Sequence, residues 1–99
     1  MEQTRNCSTA FPDLPSCGSL PQGYTFPSPQ AALNHLKTKL GNPDLSLRSP
    51  APTTGGPCPG LGTHYGVRHG RDHVASIVCC PCCMDTPQGP VVATRCRIV

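Results

Sequence analysis

Val78-Cys79-Cys80-Pro81-Cys82-Cys83-Met84 is the stretch on which the reading of this chain turns. Four of the eight cysteines fall within five positions, around one proline. No other stretch carries chemistry that a generic chain would lack. Two readings of these thiols compete, and each implies a different protein.

The first is covalent lipidation. Clustered cysteines flanked by Ile77, Val78 and Met84 have the character of S-acylation acceptors, which need an accessible thiol near a membrane surface and little else. One acyl chain anchors weakly, at about 0.8 kcal/mol per buried methylene, so two or more of Cys79, Cys80, Cys82 and Cys83 would act together. Arg68, Arg71, Arg95 and Arg97 would each add about 1 kcal/mol on an anionic leaflet. The terminal Cys96-Arg97-Ile98-Val99 fits a loose prenylation pattern, but Arg97 and Val99 are both poor for it.

The second reading is metal binding. Cys79-x-x-Cys82 and Cys80-x-x-Cys83 have the ligand spacing of a zinc knuckle, and His69 and His73 stand four apart. His73 with Cys79, Cys82 and Cys96 would close a tetrahedral site across a hairpin, and His69 is a further candidate ligand by its spacing to His73. A second CxxC at a proper distance is missing, which ranks zinc below acylation. The bland alternative is that these cysteines are inert small hydrophobes.

Outward from the cluster, residues 64–99 form a His/Cys-rich segment. His73-Val74-Ala75-Ser76-Ile77-Val78 and Val91-Val92-Ala93-Thr94 are β-prone, with Asp85-Thr86-Pro87-Gln88-Gly89-Pro90 as the turn between them. The expectation is a loose β-hairpin with the cysteines at the end of its first arm. Residues 42–63 read as a Pro/Gly/Ser-rich linker without helix or strand, where Ser46 and Ser49 are weak phosphorylation candidates.

Residues 28–41 carry the clearest regular element. Ser28 suits an N-cap, Pro29 the first helical position, and Gly41 the stop, which predicts one short α-helix over about 29–40. Leu33, Leu36 and Leu40 make a narrow apolar stripe. A dozen residues is marginal for an isolated helix in water, so the stripe must pack inside the chain or dock a protein partner. Residues 1–27 show no period, only strung turn dipeptides such as Phe11-Pro12 and Leu20-Pro21, and read as a disordered Pro-rich tail.

Composition sets the frame. Thirteen Pro and ten Gly occupy 23 of 99 residues, close to the level of low-complexity chains, and there is no Trp. The expectation is a mostly disordered, irregular chain, interrupted by proline and glycine rather than by charge. A net charge of +3 is too weak to argue nucleic-acid binding by itself. Eight cysteines in a short secreted chain would be a disulfide framework. The polar start, Met1-Glu2-Gln3-Thr4-Arg5-Asn6, lacks a signal-type apolar run, so the thiols are taken as reduced and the chain as cytoplasmic and not secreted. On that footing the Asn6-Cys7-Ser8 sequon is silent.

Catalysis finds little support. No paired carboxylates, phosphate loop or HExxH occurs, and nothing orients a Cys–His pair. Gly60, Gly62 and Gly66 are not preceded by an apolar strand, so a dinucleotide site fails. The functional expectation is a non-enzymatic intracellular accessory or adaptor protein, tethered at membranes by acylation of the cysteine cluster, with no cofactor, no nucleic acid and no small-molecule substrate. A zinc-binding interaction module, or a structural peptide of a cytoskeletal assembly, is the alternative.

Overall fold

The computed structural model of the chain describes residues 14–52 and 62–99. The expected disorder is overturned. The described residues build a mostly β structure: one antiparallel sheet curled into an open half-barrel, with one α-helix. The strands are β1 (Ser46–Leu47), β2 (Ala51–Pro52), β3 (Thr63–His69), β4 (Asp72–Thr86) and β5 (Gly89–Ile98). The spatial order is β1-β3-β4-β5, and β2 pairs with β3 beside β1. The supposed linker thus supplies a broken edge strand, opposing Arg68 and Val67 through Ser46 and Leu47, and His64 and Thr63 through Ala51 and Pro52. Phe11, Cys7 and Cys58, and the stretch 53–61, lie outside the described residues.

The hairpin is far longer than composition implies. β4 runs fifteen residues and takes the whole CCPCC stretch into the strand rather than leaving it at the end. Proline in a central strand normally argues against the assignment, because it removes a ladder donor. The register resolves the conflict. β3 pairs with β4 only as far as Thr63↔Cys79, whereas β5 accompanies β4 on its other side from Ile77 to Thr86. Pro81 therefore sits past the end of β3, where its strand has only β5 beside it. At Cys83 the N-terminal segment takes over that edge, and the Cys83 N–H donates to the Pro15 carbonyl at 2.8 Å.

The helix, α1 (Pro29–Leu40), is closed at both ends by its own sequence. The Ser28 hydroxyl accepts from the Ala31 N–H at 3.1 Å. Gly41 adopts the left-handed conformation at φ 65°, which costs a residue without Cβ nothing, and the Asn42 N–H then reaches the Lys37 carbonyl at 2.9 Å. Lys37 and Lys39 in the last turn oppose the negative end of the helix dipole.

The leucine stripe packs within the chain. Ala32, Leu33 and Leu36 are buried against Leu45, Val67, Ile77, Cys79 and Cys96, and Phe26 and Tyr65 flank this cluster. Period-2 alternation explains the sheet's share: Val67 on β3 and Ile77 and Cys79 on β4 all turn to the face that receives the helix. The core is small, and it is made partly of sulfur.

Candidate functional site

The cysteines do on this sheet what a larger core would do elsewhere. Cys79 and Cys96 stand directly opposite each other on β4 and β5, with Cα atoms 4.0 Å apart, and are joined by a disulfide. The geometry follows from the ladder. Cys96 spends both backbone groups on Phe26, at 3.1 and 2.7 Å, so the Cys79↔Cys96 pair is a non-hydrogen-bonded one, the kind that brings opposite side chains closest. A second bridge, Cys17–Cys82, spans 65 positions and ties the 3-10 turn Cys17–Ser19 to β4. Cys80 and Cys83 are also in disulfides, and no described cysteine is free.

This fixes where the expected site residues stand. Cys79, Cys80, Cys82 and Cys83, the expected acyl acceptors, are all oxidised and offer no thiol in this structure. Of the expected zinc set, His69 ends β3 opposite Asp72 and His73 is the second residue of β4, opposite Arg68, whereas Cys79, Cys82 and Cys96 lie in bridges. Among the described residues no three His, Cys, Asp or Glu side chains converge as a metal-ligand group. Leu33 and Leu36, expected to dock a partner, are 4% and 5% exposed beneath the sheet; Leu40 is 54% exposed. No helix among the described residues is long and apolar enough to cross a membrane. A hollow of about 240 Å³ beside the Cys79–Cys96 bridge is lined by Pro29, Tyr65, Pro81 and Thr94 among others, with no charged group.

The face of the sheet turned away from α1 is different in kind. Side chains alternate along each strand, so Arg68, Gly66 and His64 of β3 share that face with Ser46, Arg48, Ser76 and Val78. The register shift between Val67 and Arg68 sets His73 directly opposite Arg68. The Arg68 Nε donates to the Ser46 Oγ at 3.4 Å. The Arg48 N–H donates to the Gly66 carbonyl at 2.8 Å, and its side chain then crosses the strand over Gly66. A Cβ at position 66 would stand 3.0 Å from Arg48 Cδ and 3.5 Å from His73 Nδ1, so the glycine is what lets the arginine lie there. The His73 Nε2 and Ser76 Oγ share a hydrogen bond at 3.2 Å. Leu47, Arg48, Ser49 and Arg68 line an open cleft of about 400 Å³.

Sequence reasoning missed this cluster because Arg48 and Arg68 are twenty positions apart and Arg48 stood in a presumed linker. It missed the bridges for a different reason. The even count of eight cysteines was the signal, and it was outweighed by the polar N-terminus.

No family model, no curated protein and no solved structure matches the chain.

Proposed function

We propose that this chain is a small disulfide-braced binding module of an oxidising compartment, an accessory protein that works through surfaces. The observation that carries the reading is the oxidation of all six described cysteines, two of them across the helix-covered core and two between the N-terminal segment and β4. Such bridges persist where thiols are not kept reduced, and they support small domains whose apolar core is insufficient alone. Acylation of the CCPCC stretch, or zinc held by Cys79, Cys82 and Cys96, needs the reduced chain, because a disulfide sulfur is neither an acyl acceptor nor a thiolate ligand.

The test is a thiol count on the protein isolated from producing cells. Alkylation before and after reduction, read by intact mass, is expected to label no thiol until reductant is added. Thiols labelled beforehand, acyl mass released by hydroxylamine, or stoichiometric zinc lost to chelator would each refute the proposal.

A further inference from the structure

The charges of this small protein are unevenly placed. The described residues hold two Lys and five Arg against three Asp. Asp44 lies in the turn after α1, Asp85 near the far hairpin tip, and Asp72 pairs with His69, on the opposite face from Arg68. No ion pair joins any of these groups among the described residues. The part of the sheet face away from α1 that carries Arg48, Arg68 and His73 is therefore cationic, with no Asp or Glu side chain beside it on the strands among the described residues, while the N-terminal segment bridged at Cys17–Cys82 covers the far end of β4.

The ladder arranges this face in rows. Ser46, Arg68 and His73 form one row, and Arg48, Gly66 and Ser76 the next. A third row carries His64, Val78 and Arg97. Arg48, Arg68, His73 and Arg97 are exposed. Rows two residues apart lie about 7 Å from each other and strands about 5 Å, so Arg68 and Arg97 are on the order of 15 Å apart across the face. Arginine suits the task of binding oxyanions, because its planar fork meets two oxygens at once and its charge does not titrate away. The hydroxyls of Ser46 and Ser76 add neutral donors between the cations.

We infer that this face binds a sulfated polysaccharide, with Arg48 and Arg68 at its centre and Arg97 extending the track. The repeat of fixed sulfates along such a chain matches several cations spread across rows better than a single phosphate does. The choice of sulfated glycan over nucleic acid or an anionic leaflet rests on the oxidising compartment proposed above, where such glycans are the abundant polyanions. The strong points of the site are the unopposed charge and the glycine that seats Arg48.

The test uses the full, oxidised chain and a size-defined heparin octasaccharide, with desulfated octasaccharide, single-stranded DNA and phosphatidylserine vesicles in parallel. Binding is measured by calorimetry across a salt series. Heparin is expected to bind, and desulfated sugar is expected not to. R48A/R68A is expected to weaken binding on the order of a hundredfold, about tenfold for each lost charged contact, and to lower the salt slope by about two. G66V, which moves the Arg48 side chain without removing a charge, is expected to weaken binding several-fold. K37A/K39A, on the helix beyond the other face, is expected to change little. Thermal melts of each variant confirm that the fold is retained, since Arg48 and Arg68 are exposed. The inference fails if heparin does not bind, if desulfated sugar binds equally, if DNA or vesicles bind more tightly, or if K37A/K39A weakens binding as much as R48A/R68A. A failure here with every cysteine still oxidised removes the glycan and leaves the compartment reading standing. Free thiols in the isolated protein remove that reading whatever heparin does.

Discussion

Removing the Cys17–Cys82 bridge tests whether the sheet owes its order to sulfur. The bridge closes a loop of 65 positions. On the chain-entropy account a loop of that length restrains the unfolded chain by about 4 kcal/mol, a little more than the 17-position loop of Cys79–Cys96, at about 3 kcal/mol. A domain of this size has a total stability of about 5–15 kcal/mol, so the loss takes a large share of it. The sulfurs should be replaced together, as C17A/C82A, because a single replacement leaves one thiol free to attack the neighbouring bridges at Cys79, Cys80 and Cys83. Alanine is preferred to serine because Cys82 is fully buried and a serine hydroxyl there would want a partner. The assay is thermal and denaturant unfolding without reductant, followed by circular dichroism in the β region. At about 4–8 °C per kcal/mol for a domain of this size, the midpoint should fall by about 15–30 °C. A drop of less than about 5 °C, with the remaining cysteines shown by mass to be bridged as before, would refute the reasoning. The attachment of the N-terminal segment to β4 would then be stabilised by something other than the bridge.

Further outcomes follow from packing and capping. Leu36→Ala should cost about 2–4 kcal/mol in denaturant unfolding because Leu36 is buried between α1 and the sheet, whereas Leu40→Ala should stay within about 0.5 kcal/mol; equal effects would mean that the helix is not seated as described. Ser28→Ala should destabilise by about 1 kcal/mol through loss of the bond to the Ala31 N–H, read by the same melts. Gly41→Val should cost more than about 1 kcal/mol, because a β-branched residue is forced to a positive φ, and hydrogen exchange should show the last turn of α1 opening first.

Parts of this architecture are written locally. Ser28, Pro29 and Gly41 punctuate the helix because caps act over three or four residues and need nothing distant. The β-branched residues around Ile77 and Val91 mark strand-forming arms for the same reason. The disorder expected from thirteen prolines and ten glycines does not hold. Pro52 and Pro81 fall where a strand has an unpaired side, so their missing donors break little. The linker around Ser46 and Ala51 looks unstructured in sequence because two-residue strands carry no period. They exist only because β3 presents an edge to them.

The candidate cation face was equally hidden. Arg68 and His73 stood in the His/Cys-rich C-terminal segment, but Arg48 joins them only through the pairing of its backbone with Gly66. By itself the sequence determined one capped helix, a β-prone C-terminal segment, a scarce apolar core and an even number of cysteines. It could not decide whether those sulfurs are thiols or bridges, because disulfide formation depends on which Cα atoms come within about 4–7 Å, and that distance is a property of strand register. Tertiary structure decided it by pairing β4 with β5 and laying the N-terminal segment along β4, which put Cys79 beside Cys96 and Cys82 beside Cys17.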